Sequence, residues 1–131
     1  MRTKIKANIV ISDDTAGKNV LFGYNDDLAE EIADNYQRCV SGKFSVAALG
    51  SENLPLGDVT SVRGILVIAD DNFSYIMNGG ADTITCQRAG TATTSKCRVL
   101  LQATVSQFAI TNPSATAALT GTWVAWGDLT V

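Results

Sequence analysis

The sequence predicts an all-β fold, an antiparallel β-sandwich of jelly-roll-like or Ig-like type, with one short helix near residues 26–37. Three observations lead there. Short β-branched and aromatic runs follow one another closely along the chain. Between them stand turn-forming residues at spacings of about 8–12 residues, the rhythm of sandwiches and small barrels. A single stretch breaks the pattern, with apolar residues four apart. At 131 residues the chain is long enough for one domain, 1–131, with a substantial core.

The strand runs come in order. IKANIVI (5–11) sets Ile5, Ala7, Ile9 and Ile11 on one face, with Lys6, Asn8 and the preceding Lys4 on the other, the period of two that a strand imposes. VLFGY (20–24) is short. KFSVAAL (43–49) aligns Phe44, Val46 and Ala48. VRGILVIAD (62–70) is apolar at nearly every position, as expected of a central strand. FSYIMN (73–78), DTITCQR (82–88), KCRVLLQATV (96–105), SQFAITN (106–112) and ALTGTWVAWGDL (118–129) complete the series.

Turn chemistry separates them. Asp70-Asp71-Asn72 bends the chain between two runs. Asn78-Gly79-Gly80 supplies residues that accept positive φ, as tight hairpin turns require. Asn112-Pro113-Ser114 ends a strand, because proline has no N–H to donate. AGTATTS (89–95) reads as a polar hairpin loop. The exception is NDDLAEEIADNYQR (25–38). Leu28, Ile32 and Tyr36 lie four apart, Asn25 or Asp26 can cap, and acids crowd the first turn, which favours a helix. Asp34-Asn35 is weak helix material and argues for a meandering loop instead.

Trp123 and Trp126 are three apart, so on one strand they point to opposite faces. Leu119, Gly121, Trp123, Ala125, Gly127 and Leu129 form an apolar, small-residue face, which makes Trp123 the core residue. Thr120, Thr122, Val124, Trp126, Asp128 and Thr130 form the outward face. A large ring there needs cover, either from the same chain or from a partner, and tryptophan is enriched among interface anchors. As an anchor, Trp126 would be removable without unfolding the monomer.

Catalysis has little to work with. The chain has no histidine, which removes the commonest general base, the usual Ser and Cys triads and most zinc and copper sites. The acidic pairs Asp13-Asp14, Asp26-Asp27, Glu30-Glu31 and Asp70-Asp71 are adjacent in sequence and read as solvated turn residues. None has the alternating ligand spacing of a calcium loop, and no glycine loop leads into a lysine-bearing helix. The reading is a non-enzyme with no cofactor and no metal site. A net charge of −3 offers no basic footprint for nucleic acid. No apolar run is long enough to cross a membrane, and no signal peptide is evident, so folding in a cytosol is expected. Cys39, Cys86 and Cys97 match no zinc spacing. Cys86 and Cys97 flank a turn-like segment where they could face each other, although reduced buried thiols suit a cytosol better.

Charge is asymmetric. Arg2, Lys4 and Lys6 make a basic start, and Asp13, Asp14, Asp26, Asp27, Glu30, Glu31 and Asp34 face only Lys18 in the segment that follows. This is either ordinary solvated surface or a basic strand of one copy that meets an acidic surface of another.

Three stretches resemble small β-sandwich structural proteins of tailed bacteriophages: LPLGDVTSVRGILVIAD (54–70), FSYIMNGGADTI (73–84) and QFAITNPSATAALTGTWVAWG (107–127). Residues 1–50 carry no such resemblance. It implies a virion role, most simply a capsid decoration or cement protein that stabilises the lattice of major capsid protein, with copies clustered as dimers or trimers. The expected setting is the capsid surface of a virion assembled in a bacterial cytoplasm. Tail, head–tail connector or host-glycan adsorption roles are the alternatives, the last using Tyr75, Asn78, Asp82 and Trp126. For the decoration role the expected interface residues are Trp126, Arg2, Lys4, Lys6, Asp26, Asp27, Glu30, Glu31 and Asp34.

Overall fold

A computed structural model describes residues 3–6, 11–12, 20–22, 31–36, 38–57, 59, 61–88, 90 and 95–128. The chain divides into two compact units, Arg2–Tyr36 and Gln37–Val131. In the smaller one, β1 (Thr3–Lys6) pairs antiparallel with β4 (Glu31–Tyr36), and β2 (Ile11–Ser12) pairs with β3 (Val20–Phe22).

The helix expected near residues 26–37 is corrected here: no helix occurs among the described residues, and Glu31–Tyr36 is strand. Residues 26–30 and 37 lie outside the described set. The reason lies in the arithmetic of the pattern. A spacing of four is even, so Leu28, Ile32 and Tyr36 satisfy the period of two as well as that of 3.6. With Asp34 and Asn35 weak in helices, a partner strand settles the choice.

The larger unit is built of two four-stranded antiparallel sheets. One has the order β10-β7-β12-β5, from β5 (Arg38–Val46), β7 (Ser61–Ala69), β10 (Cys97–Val105) and β12 (Leu119–Asp128). The other has the order β6-β11-β8-β9, from β6 (Ser51–Asn53), β8 (Phe73–Met77), β9 (Ile84–Cys86) and β11 (Phe108–Thr111). One continuous core draws on both sheets: Phe44, Val46, Ile65, Val67, Trp123 and Ala125 from the first, Phe73, Tyr75, Phe108 and Ile110 from the second. Tyr75 stacks on Phe108 with ring centroids 4.7 Å apart. Each large side chain withdrawn here contributes about 1.5–3 kcal/mol of hydrophobic stabilisation.

The strand runs at 62–70, 73–78, 96–105 and 118–129 match β7, β8, β10 and β12 to within two residues. Ala48 does not join Phe44 and Val46, because β5 ends at Val46 and the chain turns. Residues 89 and 91–94 of the expected loop lie outside the described set.

Two asparagines hold the corners. Asn78 (φ 58°) and Gly79 (φ 66°) both take positive φ and Gly80 N–H donates to Met77 C=O at 3.1 Å, the type I′ geometry. The Asn78 side chain then reaches across the sandwich. Its Oδ1 accepts from the Ser106 N–H at 2.7 Å, and its Nδ2 donates to Thr104 C=O at 3.0 Å. Asn112, only 2% exposed, donates through Nδ2 to the carbonyls of Val46 (3.1 Å) and Ala117 (2.8 Å) and accepts the Ser114 N–H at 3.0 Å. Both side chains supply partners to main-chain groups where strands end, the condition for burying such groups.

Candidate interaction surface

The two sheets have different outer faces. On the β6-β11-β8-β9 sheet, register aligns Ser51, Thr111, Ser74 and Thr85 in one row. Hydroxyl contacts of 3.3 Å join Thr111 to Ser51 and Ser74 to Thr85. This row is polar and hydrogen-bonded to itself, and the next row on the same face is Asn53, Ala109 and half-buried Ile76.

The outer face of the β10-β7-β12-β5 sheet is apolar through its middle. Register places Leu100, Leu66, Val124 and Ser41 in one row, and Arg98, Ile68, Thr122 and Lys43 in the next. Leu100 is 40% exposed, and Leu66, Ile68 and Val124 are half-buried. A shallow depression of about 220 Å³ lies among Leu66, Ile68, Thr122 and Val124. Exposed Arg98 and Lys43 stand at the two ends of the row that contains Ile68 and Thr122. An apolar centre with a charged rim is the general anatomy of a docking surface.

Trp126 continues this face into the row Gln102, Gly64, Trp126 and Cys39. It lies outside the core cluster yet is 1% exposed, so its ring is covered within the chain. The indole lies over Gly64, where an added Cβ would stand 2.3 Å from ring atoms. Trp123 mirrors this on the inner face, its Nε1 3.1 Å from the place of a Gly42 Cβ. Each tryptophan thus covers a glycine directly across the ladder.

The other expected interface residues are placed only by their strands. Lys4 and Lys6 stand on β1 and Glu31 and Asp34 on β4, and the ladder sets Lys6 opposite Glu31 in the same chain. Arg2, Asp26, Asp27 and Glu30 lie outside the described residues. The four candidate sugar-binding residues do not assemble into a site. Tyr75 is in the core, the Asn78 side chain is engaged with Thr104 and Ser106, Trp126 is buried, and Asp82 is exposed.

Sequence reasoning passed over the contacts of Asp70 and left open whether Cys86 and Cys97 meet. Asp70 accepts hydrogen bonds from Lys96 Nζ (2.6 Å) and the Thr120 hydroxyl. These donors, Lys96 first, hold its carboxyl below the usual carboxylate range. Cys86 and Cys97 are free thiols joined by a side-chain hydrogen bond. Among the described residues no group of three or more Cys, Asp or Glu side chains is arranged to hold a metal ion. The chain matches no family model, no curated protein and no solved structure in the comparisons with known proteins.

Proposed function

We propose that this chain is a non-enzymatic structural protein of a bacteriophage virion, a capsid decoration protein that docks on the lattice of major capsid protein. The observation that carries the docking role is the contrast between the two outer faces. One carries a row of paired hydroxyls and has only Ala109 and Ile76 as apolar residues in the next row, whereas the other presents the larger apolar group Leu66, Ile68, Leu100 and Val124 between Arg98 and Lys43. A sheet that covers apolar residues on both sides is organised for a neighbour. The phage setting rests on the resemblance of residues 54–70, 73–84 and 107–127, and clustering of copies on the shell follows from the same reading. Many identical weak contacts on a symmetric lattice sum to firm attachment.

The test is to add purified protein to capsids that lack decoration. Saturable binding and a raised capsid disruption temperature are expected, both lost in the Leu100→Glu/Val124→Glu variant. Absence of binding, or binding indifferent to that variant, would sink the proposal. Soluble rings in negative stain would assign the chain to a tail tube or head–tail connector instead.

A further inference from the structure

Cys86 closes β9, the outermost strand of one sheet, and Cys97 opens β10, the outermost strand of the other. Cα atoms of these two strands approach within 8 Å. The Cys86 thiol hydrogen-bonds the Cys97 sulfur, which also takes a hydrogen bond from the main chain of Phe73. Phe73 is itself the ladder partner of Cys86, so the two sulfurs meet where one sheet edge faces the other.

The intervening segment is held at both ends. Arg88 donates its N–H to Asn72 Oδ1 at 2.7 Å, and its guanidinium reaches the Asp70 carbonyl (3.3 Å) and the Asp71 carboxylate (3.3 Å). At the other end Lys96 Nζ contacts Asp70 at 2.6 Å. The Asp70-Asp71-Asn72 turn therefore clamps residues next to each cysteine and keeps the pair in register.

We propose that Cys86 and Cys97 form a disulfide that staples the two sheet edges together once the protein meets an oxidising medium, by exchange with a small-molecule disulfide. Cys86 is half-buried and Cys97 is 2% exposed, so Cys86 is the sulfur that an outside disulfide reaches. Its thiolate attacks one sulfur of RSSR, and the S–S bond breaks to release RS⁻, which takes up a proton. Cys97 thiolate then attacks Cys86 in the mixed disulfide and expels the second RS⁻. Two thiols and RSSR become one protein disulfide and two RSH.

Burial, with smaller contributions from Cys97, pushes the Cys86 thiol up to about 11. Closure is accordingly slow at neutral pH and quickens as pH rises toward that value. A reducing cytosol keeps the pair open, and the bond forms after the chain leaves it. Cys39, the third thiol, lies on β5 at the opposite edge of its sheet from β10 and takes no part.

The experiment incubates the folded wild-type protein and Cys39→Ser with oxidised glutathione, followed by peptide mapping and thermal unfolding. Expected are loss of two hydrogens, a Cys86–Cys97 cross-linked peptide reversed by dithiothreitol, closure faster at pH 9 than at pH 7, and a Tm raised on the order of 10 °C. Cys97→Ser should stop at a glutathione adduct on Cys86. If that variant fails to fold, the wild-type peptide map decides alone. A glutathione adduct without cross-link in the wild type, no reaction at pH 9, or a cross-link that leaves Tm unchanged or lower would overturn the proposal.

Discussion

The Trp126 indole occupies the space that a side chain at Gly64 would need: a Cβ there would lie 2.3 Å from the ring. The ring is 1% exposed and fills an outer-face position directly across the ladder. Gly64→Ala should therefore displace a buried indole and cost about 2–3 kcal/mol, the scale of overpacking. Gly42→Ala meets Trp123 at 3.1 Å and should cost less, under about 1 kcal/mol. Trp126→Ala should destabilise by about 3–5 kcal/mol, comparable to Trp123→Ala, since both rings are buried. Urea unfolding of the four variants checks the order, and a Gly64→Ala variant of wild-type stability would refute the packing.

Asn112 is a second place where a single side chain governs stability. Its Nδ2 faces the carbonyls of Val46, Ala47 and Ala117. Asn112→Ala should cost about 2–4 kcal/mol, as several buried polar groups lose their partner together. Asn112→Asp should cost more at neutral pH, because a carboxylate would meet those carbonyls with no proton to offer. The penalty should shrink as pH falls and that carboxyl protonates, which unfolding at pH 7 and pH 4 would reveal.

Asn78 makes a similar connection from the hairpin turn to the 104–107 corner. Asn78→Ala should lower stability by about 1–3 kcal/mol, from the lost hydrogen bonds and from alanine at φ 58°. Asn78→Gly keeps the backbone conformation, so comparison of the two in chemical denaturation separates the two causes.

Asp70 sets an acid dependence. Its folded carboxyl titrates below its ordinary value because Lys96, then Thr120, donate to it. A lowered folded value contributes stability above the unfolded carboxylate value, and that contribution is lost as pH falls through the folded one. Its carboxyl is half exposed, so screening keeps the effect small. Lys96→Met should raise the Asp70 titration midpoint in carbon-detected NMR and flatten this part of the acid stability profile. An unmoved midpoint would mean that the contact does not persist in solution.

Leu100 separates folding from docking. It is 40% exposed at the edge of the apolar row, so Leu100→Glu should change stability by no more than about 0.5 kcal/mol. Capsid binding should fall by tenfold or more if this face docks, which co-sedimentation at matched concentrations would measure.

The strands at 62–70, 73–78, 96–105 and 118–129 were legible because alternation and turn chemistry are local. The side chains that make β7, β8, β10 and β12 amphipathic or buried are their own. The positive-φ turn at Asn78-Gly79 and the stop at Asn112-Pro113 belong to the same local class. The opposite facing of Trp123 and Trp126 followed from odd separation alone. In the candidate surface, the outward face of β12 could be read directly, but its neighbours Leu66, Ile68 and Leu100 could not.

What the tertiary structure alone decided are the pairings between distant residues. An even spacing left 31–36 compatible with helix or strand, and the ladder with β1 resolved it. Trp126 was assigned a face by the sequence, yet its cover over Gly64 depends on which strand lies beside β12 and in what register. The same holds for Asn78 against Ser106, Asn112 against Val46 and Cys86 against Cys97. Local patterns fix what a segment can be, whereas cross-strand register determines which two residues meet.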